Sequence, residues 1–160
     1  MTRDAALRGP GIRCHAPIVF GTALLAAWAL NRRWPLPIEI NGFGTARSAV
    51  GWLLGICGLV LFVAAISTLV RARTTFLPNR ESNTLVVAGP FALSRNPIYM
   101  GFMSIYVGIA LVTNIAWPIL ILPLVWIVMR MYIIAREERY LAAKFGDSYV
   151  QYRRRVRRWL

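Results

Sequence analysis

The sequence is poor in the residues on which most soluble active sites depend. It has one histidine, His15, and two cysteines, Cys14 and Cys57. That excludes a His-rich metal site and a disulfide framework. Lysine is nearly absent, with Lys144 alone, and acidic residues number only six. There is no Gly-x-Gly-x-x-Gly, no phosphate-binding GKS or GKT loop, no Cys-x-x-Cys and no Ser-His-Asp set. Nucleotide-loop, thiol-redox and serine-hydrolase chemistries therefore lack their usual signatures. What is present is apolar residue and arginine. Hydrophobic residues make up 58% of 160, mean hydropathy is +0.54, and the net charge is +13. A basic disordered chain would not carry so many apolar residues, and a soluble core of this size does not need them. A membrane protein with its charge in loops and tail satisfies both.

Charge-poor stretches give the organisation. Cys14 to Asn31 is 18 residues, Ser48 to Val70 is 23, and Asn96 to Met129 is 34, with apolar character continuing to Ala135. One span takes about 20 residues, so the third stretch is too long for one. It breaks naturally at Thr113-Asn114-Ile115-Ala116-Trp117-Pro118, which holds a turn former, an interface-seeking Trp and a helix-starting Pro. The expected fold is all-α: an integral membrane helical bundle in one domain, 1–160. Its spans are placed at about 14–31, 48–70, 97–112 and 118–135, with a cytoplasmic loop and C-terminal helices over 136–160. Fifteen basic residues fall on the side of the termini and the 71–95 loop; Arg32, Arg33 and Arg47 fall on the other. The positive-inside rule puts both termini in the cytoplasm, here of a bacterial inner membrane. Tyr149, Tyr152, Val156 and Trp159 share one helical face opposite Arg153, Arg154, Arg155, Arg157 and Arg158, a pattern suited to anionic lipid headgroups.

Two constellations could carry chemistry. Glu137 and Glu138 are the only adjacent acids, and they come just after the last span, where a carboxylate is costly unless paired. Arg130 precedes Glu137 by seven residues, about two helical turns, so both are placed on one face, suited to a ligand with both charges. A structural ion pair with Arg136 or Arg139, or a snorkelling Arg, fits the same residues. The second is Arg95-Asn96-Pro97-Ile98-Tyr99-Met100-Gly101. Its Pro opens a helix whose free first-turn N–H groups can hold a carboxylate; a capped helix start with no ligand fits equally.

Three runs in order resemble the membrane-integral isoprenylcysteine carboxyl methyltransferase and phospholipid methyltransferase superfamily, over roughly 74–160. They are Leu85-Val86-Val87-Ala88-Gly89-Pro90-Phe91, Arg95 to Gly101, and Glu137-Glu138-x-x-Leu141 together with Phe145-Gly146-x-x-Tyr149-x-x-Tyr152-x-x-x-Val156. The family pattern has Tyr at 91 and His at 96; here Phe91 and Asn96 stand there, and an amide offers no titrating imidazole. The resemblance implies S-adenosylmethionine as methyl donor, bound without a Rossmann domain and closed in by the 71–95 loop and the C-terminal helices. By position it implies that Asn83, Thr84, Leu85 and Val86 line the donor and Phe91 packs beside it. Asn96, Pro97, Ile98 and Tyr99 would hold its amino-acid end, Glu137 would take its ammonium or ribose hydroxyls, and Glu138 would join the donor-binding set. Arg130 would orient an anionic nucleophile or headgroup, and the acceptor would be lipophilic, an isoprenylcysteine-like carboxylate or a lipid headgroup. Two other readings fit the sequence: an NADPH-dependent sterol-reductase-like enzyme, and a non-enzymatic protein that binds anionic lipid.

Overall fold

The computed structural model describes residues 15–38, 42–74 and 84–160. They form six α-helices: α1 Ala16–Arg33, α2 Gly44–Arg71, α3 Pro97–Thr113, α4 Trp117–Val128, α5 Ala135–Phe145 and α6 Asp147–Arg155. A 3-10 turn occupies Gly89–Ala92, and a π segment, Met129–Ile134, joins α4 to α5 without a break. Among the described residues there is no strand; Leu85-Val86-Val87 belongs to no regular element.

Proline and asparagine mark the boundaries as their chemistry requires. Pro17, Pro97 and Pro118 sit in first turns, where a missing N–H costs nothing. Asn114 ends α3 in the left-handed conformation at φ 58°, and α4 begins three residues later. At this end the chain is cross-tied. The Trp117 indole donates to the Trp34 carbonyl at 2.8 Å, the Ala116 N–H to Leu36 at 2.8 Å, and the Ile38 N–H to the Asn114 side chain at 3.0 Å.

α2 and α3 pack antiparallel along a seam of glycines. Gly51 lies against Gly108 and Val112, and Gly58 against Gly101 and Ser104. Removing side chains lets backbones approach, which is how helices gain packing when lipid removes the hydrophobic drive. The Ser104 hydroxyl donates to the Leu54 carbonyl across this seam at 2.7 Å. α1 packs on α4 around Phe20, Tyr106, Val125, Met129 and Ile133, and Phe102 bridges the halves, stacked on Phe20 and edge-on to Phe62.

Two helices are long and apolar enough to cross a membrane: Gly44–Arg71 and the continuous Trp117–Phe145. Only 11% and 28% of their apolar windows are buried. A soluble core helix would be mostly covered; these expose Trp52, Leu53, Ile56, Val60 and Leu124, a surface suited to lipid. α3, at 17 residues, is a shorter apolar helix. Cys57 is exposed on α2.

Candidate functional site

At the end of the bundle where α2 finishes and α1 and α3 begin, a cavity of about 200 Å³ opens between the helices. Its wall is assembled from distant parts of the chain. Residues 84–86 and Phe91 come from the loop, Arg95 to Tyr99 from the start of α3, Glu137 to Leu141 from α5, and Tyr149 and Tyr152 from α6. Its apolar side is Ala16 and Pro17 of α1, Phe62, Ile66 and Leu69 of α2, and Phe102 of α3.

Each charged group is held by geometry. Gly89, at φ 59°, a conformation that favours glycine, turns the loop into Phe91, and a Cβ there would come within 3.1 Å of the Thr68 hydroxyl. Gly146, at φ 52°, folds α6 back from α5. The Tyr152 hydroxyl then donates to the Phe91 carbonyl at 2.7 Å, tying the tail to the loop. Burial, with Tyr149 beside it, pushes the Tyr152 hydroxyl up to about 12. Burial, then the Glu138 charge, raises Tyr149, against the opposing pull of Arg95. Arg95 Nη1 reaches both the Tyr149 oxygen at 3.3 Å and Glu138 Oε1 at 3.0 Å. Glu138 is also gripped by Arg158, whose Nε and Nη2 donate to its two oxygens at 3.1 and 2.6 Å. That hydrogen bonding raises Arg158 further above its ordinary value. The neighbouring carboxylate, Glu137, accepts from the Tyr99 hydroxyl at 2.7 Å.

Thr84, Leu85, Val86, Phe91, Asn96, Pro97, Ile98, Tyr99, Glu137 and Glu138 all line this one cavity; Asn83 lies outside the described residues. Arg130 does not line it. Its guanidinium is exposed and sits over the Trp126 ring, 5.0 Å from the centroid. The π segment is the reason. An i→i+5 ladder adds a residue to the turn and rotates the downstream helix by roughly a quarter turn, so the seven-residue spacing no longer puts Arg130 and Glu137 on one face. Glu138 pairs across the chain with Arg95 and Arg158, where sequence spacing suggests Arg136 or Arg139.

The tail also departs from expectation. The helix ends at Arg155, and its aromatic face is turned inward: Tyr149 and Tyr152 are buried, and Trp159 packs against the core. Arg153, Arg154, Arg155 and Arg157 remain exposed. Sequence reasoning leaves Arg95, Thr74, Tyr149 and Arg158 off the site. Arg95 stands inside a resembling motif; Thr74 and Arg158 carry no local signal.

The cavity can take a ligand of mixed charge. It presents carboxylates at 137 and 138, a guanidinium at 95 and aromatic rings at 91, 99 and 149. Two polar atoms on its lining residues, Arg95 Nε and Thr74 Oγ1, are buried with no hydrogen-bond partner among the described residues. Native interiors seldom leave such atoms unpaired, and both residues can supply donors to a polar ligand that enters the cavity.

A family model described as phospholipid methyltransferase matches residues 46–148. Protein-S-isoprenylcysteine O-methyltransferase B of Arabidopsis thaliana is 34% identical over 143 residues, 88% of this chain and 64% of that protein. Cobalt-zinc-cadmium resistance protein CzcN of Cupriavidus metallidurans is 31% identical over 81 residues, covering 51% of this chain and 37% of the relative. A Haemophilus influenzae protein is 56% identical over 34 residues, 21% of this chain and 54% of its own length. The chain thus spans between 37% and 64% of the length of these relatives. No solved structure matches it. The family match runs from the seam helix α2 through the loop, the start of α3 and the two glutamates that build the cavity; this chain belongs to the phospholipid methyltransferase family.

Proposed function

We propose that the protein is an integral-membrane methyltransferase that moves a methyl group from S-adenosylmethionine to a lipophilic acceptor, an isoprenylcysteine-like carboxylate or a lipid headgroup. The observation that carries this is the single cavity that gathers the loop at 84–91, the start of α3 and Glu137 with Glu138. Four spans are part of the proposal, α1, α2, α3 and α4, with both termini and the cavity on the cytoplasmic face. The arginines agree: Arg71, Arg95, Arg136 and the tail lie at the cavity end, while Arg32, Arg33 and Arg47 lie at the other.

The donor's groups find complementary partners. Arg95 and the first-turn N–H groups of α3 suit its carboxylate. Glu137, oriented by Tyr99, suits its ammonium. Leu85, Val86 and Phe91 offer an apolar flank for its nucleoside. When bound, S-adenosylmethionine supplies an electrophilic methyl on a sulfonium. The chain's part is to align the acceptor in line with that methyl and to keep water out. Phe62, Ile66 and Phe102 do the second by walling the cavity on the bilayer side, and the same wall accepts an apolar tail.

Isotope-labelled S-adenosylmethionine and the protein purified in detergent give the test. Saturable binding is expected, and Glu137→Ala should abolish or greatly weaken it. Absent binding, or binding indifferent to Glu137→Ala, rejects the site. Labelled methyl recovered in the organic phase after incubation with membrane lipid extract identifies the acceptor.

A further inference from the structure

The chain after α6 is not helical, yet it is fixed at several points. The Arg95 N–H donates to the Arg157 carbonyl at 3.0 Å. The Ser94 hydroxyl and the Asn96 side-chain amide both donate to the Arg158 carbonyl, at 3.1 and 2.9 Å. The Arg158 side chain turns the other way, to both oxygens of Glu138. One tail residue therefore fixes Asn96 through its main chain and Glu138 through its side chain. Both line the cavity; Arg158 does not.

The sharing of Glu138 is unequal. Arg158 engages Oε1 and Oε2, while Arg95 reaches Oε1 alone through Nη1. Arg95 is thus only partly neutralised, and its buried Nε has no partner among the described residues. Without Arg158, Oε2 would lose its donor, and the nearest remaining guanidinium is Arg95. Glu138 would then take Arg95 in a two-pronged pair and cancel the charge on the cavity wall.

We propose that Arg158 is a positioning residue, holding Glu138 so that Arg95 keeps an open edge for the carboxylate end of a bound ligand. This rests on the reading of the cavity as a donor site. Arg158 touches no ligand in this scheme. It sets the selectivity of the rim for ligands that carry an amino-acid end.

Two nucleosides separate this role from a structural one. S-adenosylhomocysteine carries the amino-acid end; 5′-methylthioadenosine lacks it. Affinity for each is measured by calorimetry on the full chain in detergent, as wild type, Arg158→Gln and Arg158→Lys. Arg158→Gln should weaken S-adenosylhomocysteine by about tenfold, the scale of one charge-assisted hydrogen bond, and leave methylthioadenosine unchanged. Arg158→Lys restores the charge without the fork, so it should fall between, and it serves alone should the Gln variant not fold. Equal weakening of both ligands, or no change in either, overturns the proposal while leaving the donor site standing. A wild type that binds neither nucleoside overturns the donor reading and this inference with it.

Discussion

Replacing Gly108 by alanine adds one methyl group where the structure has no room for it. A Cβ there would lie 2.7 Å from the Gly51 carbonyl oxygen and 2.9 Å from the Gly55 nitrogen. Both are backbone atoms, so no rotamer change relieves the contact. Ordinary contact begins at 3.4 Å; α2 and α3 must therefore part by roughly 0.7 Å locally, a gap that forfeits a quarter to a half of the dispersion attraction along the seam. The Ser104–Leu54 hydrogen bond, now 2.7 Å, spans the same interface and would stretch with it. Overpacking of this kind costs about 1–3 kcal/mol. Gly55→Ala is the internal control. It lies on the same seam, but a Cβ there meets nothing within 4 Å, and alanine is the better helix former by about 0.5–1 kcal/mol. Thermal unfolding in detergent should show Gly108→Ala melting several degrees below wild type, at about 2–4 °C per kcal/mol, and Gly55→Ala at or above it. Equal losses in the two variants would refute the antiparallel seam.

The cavity rim gives further outcomes. Glu138→Gln leaves Arg95, whose side chain is 10% exposed, without its carboxylate; a loss of order 3 kcal/mol is expected, read as faster proteolysis of the tail. Tyr152→Phe removes the bond to the Phe91 carbonyl, costing about 1 kcal/mol and speeding hydrogen exchange across 88–93. Tyr152 is raised in the folded state, to about 12, so its contribution is intact below the unfolded tyrosine value near 10. That contribution fades as pH rises from there through 12; alkaline titration of wild type against Tyr152→Phe should show the extra loss in wild type only. Arg130→Ala, outside the cavity and stacked on Trp126, should leave donor binding unchanged.

Boundaries are the most legible part of the sequence, because they are set by local chemistry. Asn114 with Trp117 and Pro118 marks the turn between α3 and α4, and Pro97 the start of α3. The cavity's residues are legible only through motif resemblance: no periodicity brings position 85 beside position 137. Sequence spacing misplaces Arg130 relative to Glu137 because a π segment leaves no mark in composition; Met129–Ile134 looks like any other apolar turn. Pro123 lies just upstream in α4 and is no guide to a ladder change six residues on.

The tail shows the deeper limit. Tyr149, Tyr152 and Trp159 form an apolar stripe whether they face lipid or protein, since either is an apolar solvent to an aromatic ring. What decides is the polar rim of that stripe. Tyr152 finds the Phe91 carbonyl, Tyr149 finds Arg95, and Arg158, alone among its neighbouring arginines, finds a carboxylate among the described residues. Five arginines between 153 and 158 are equivalent in sequence, and four of them are exposed. The position of Glu138, twenty residues earlier, makes one of them structural. The exposed arginines and the inward Arg158 should therefore separate in experiment. Neutralising Arg153, Arg154 and Arg155 should weaken binding to anionic vesicles in a salt-dependent way and spare the cavity. Neutralising Arg158 should alter ligand selectivity and leave vesicle binding nearly unchanged. Identical effects from both sets on vesicle binding would mean that the tail lies on the membrane, as its stripe alone suggests, and not against the protein.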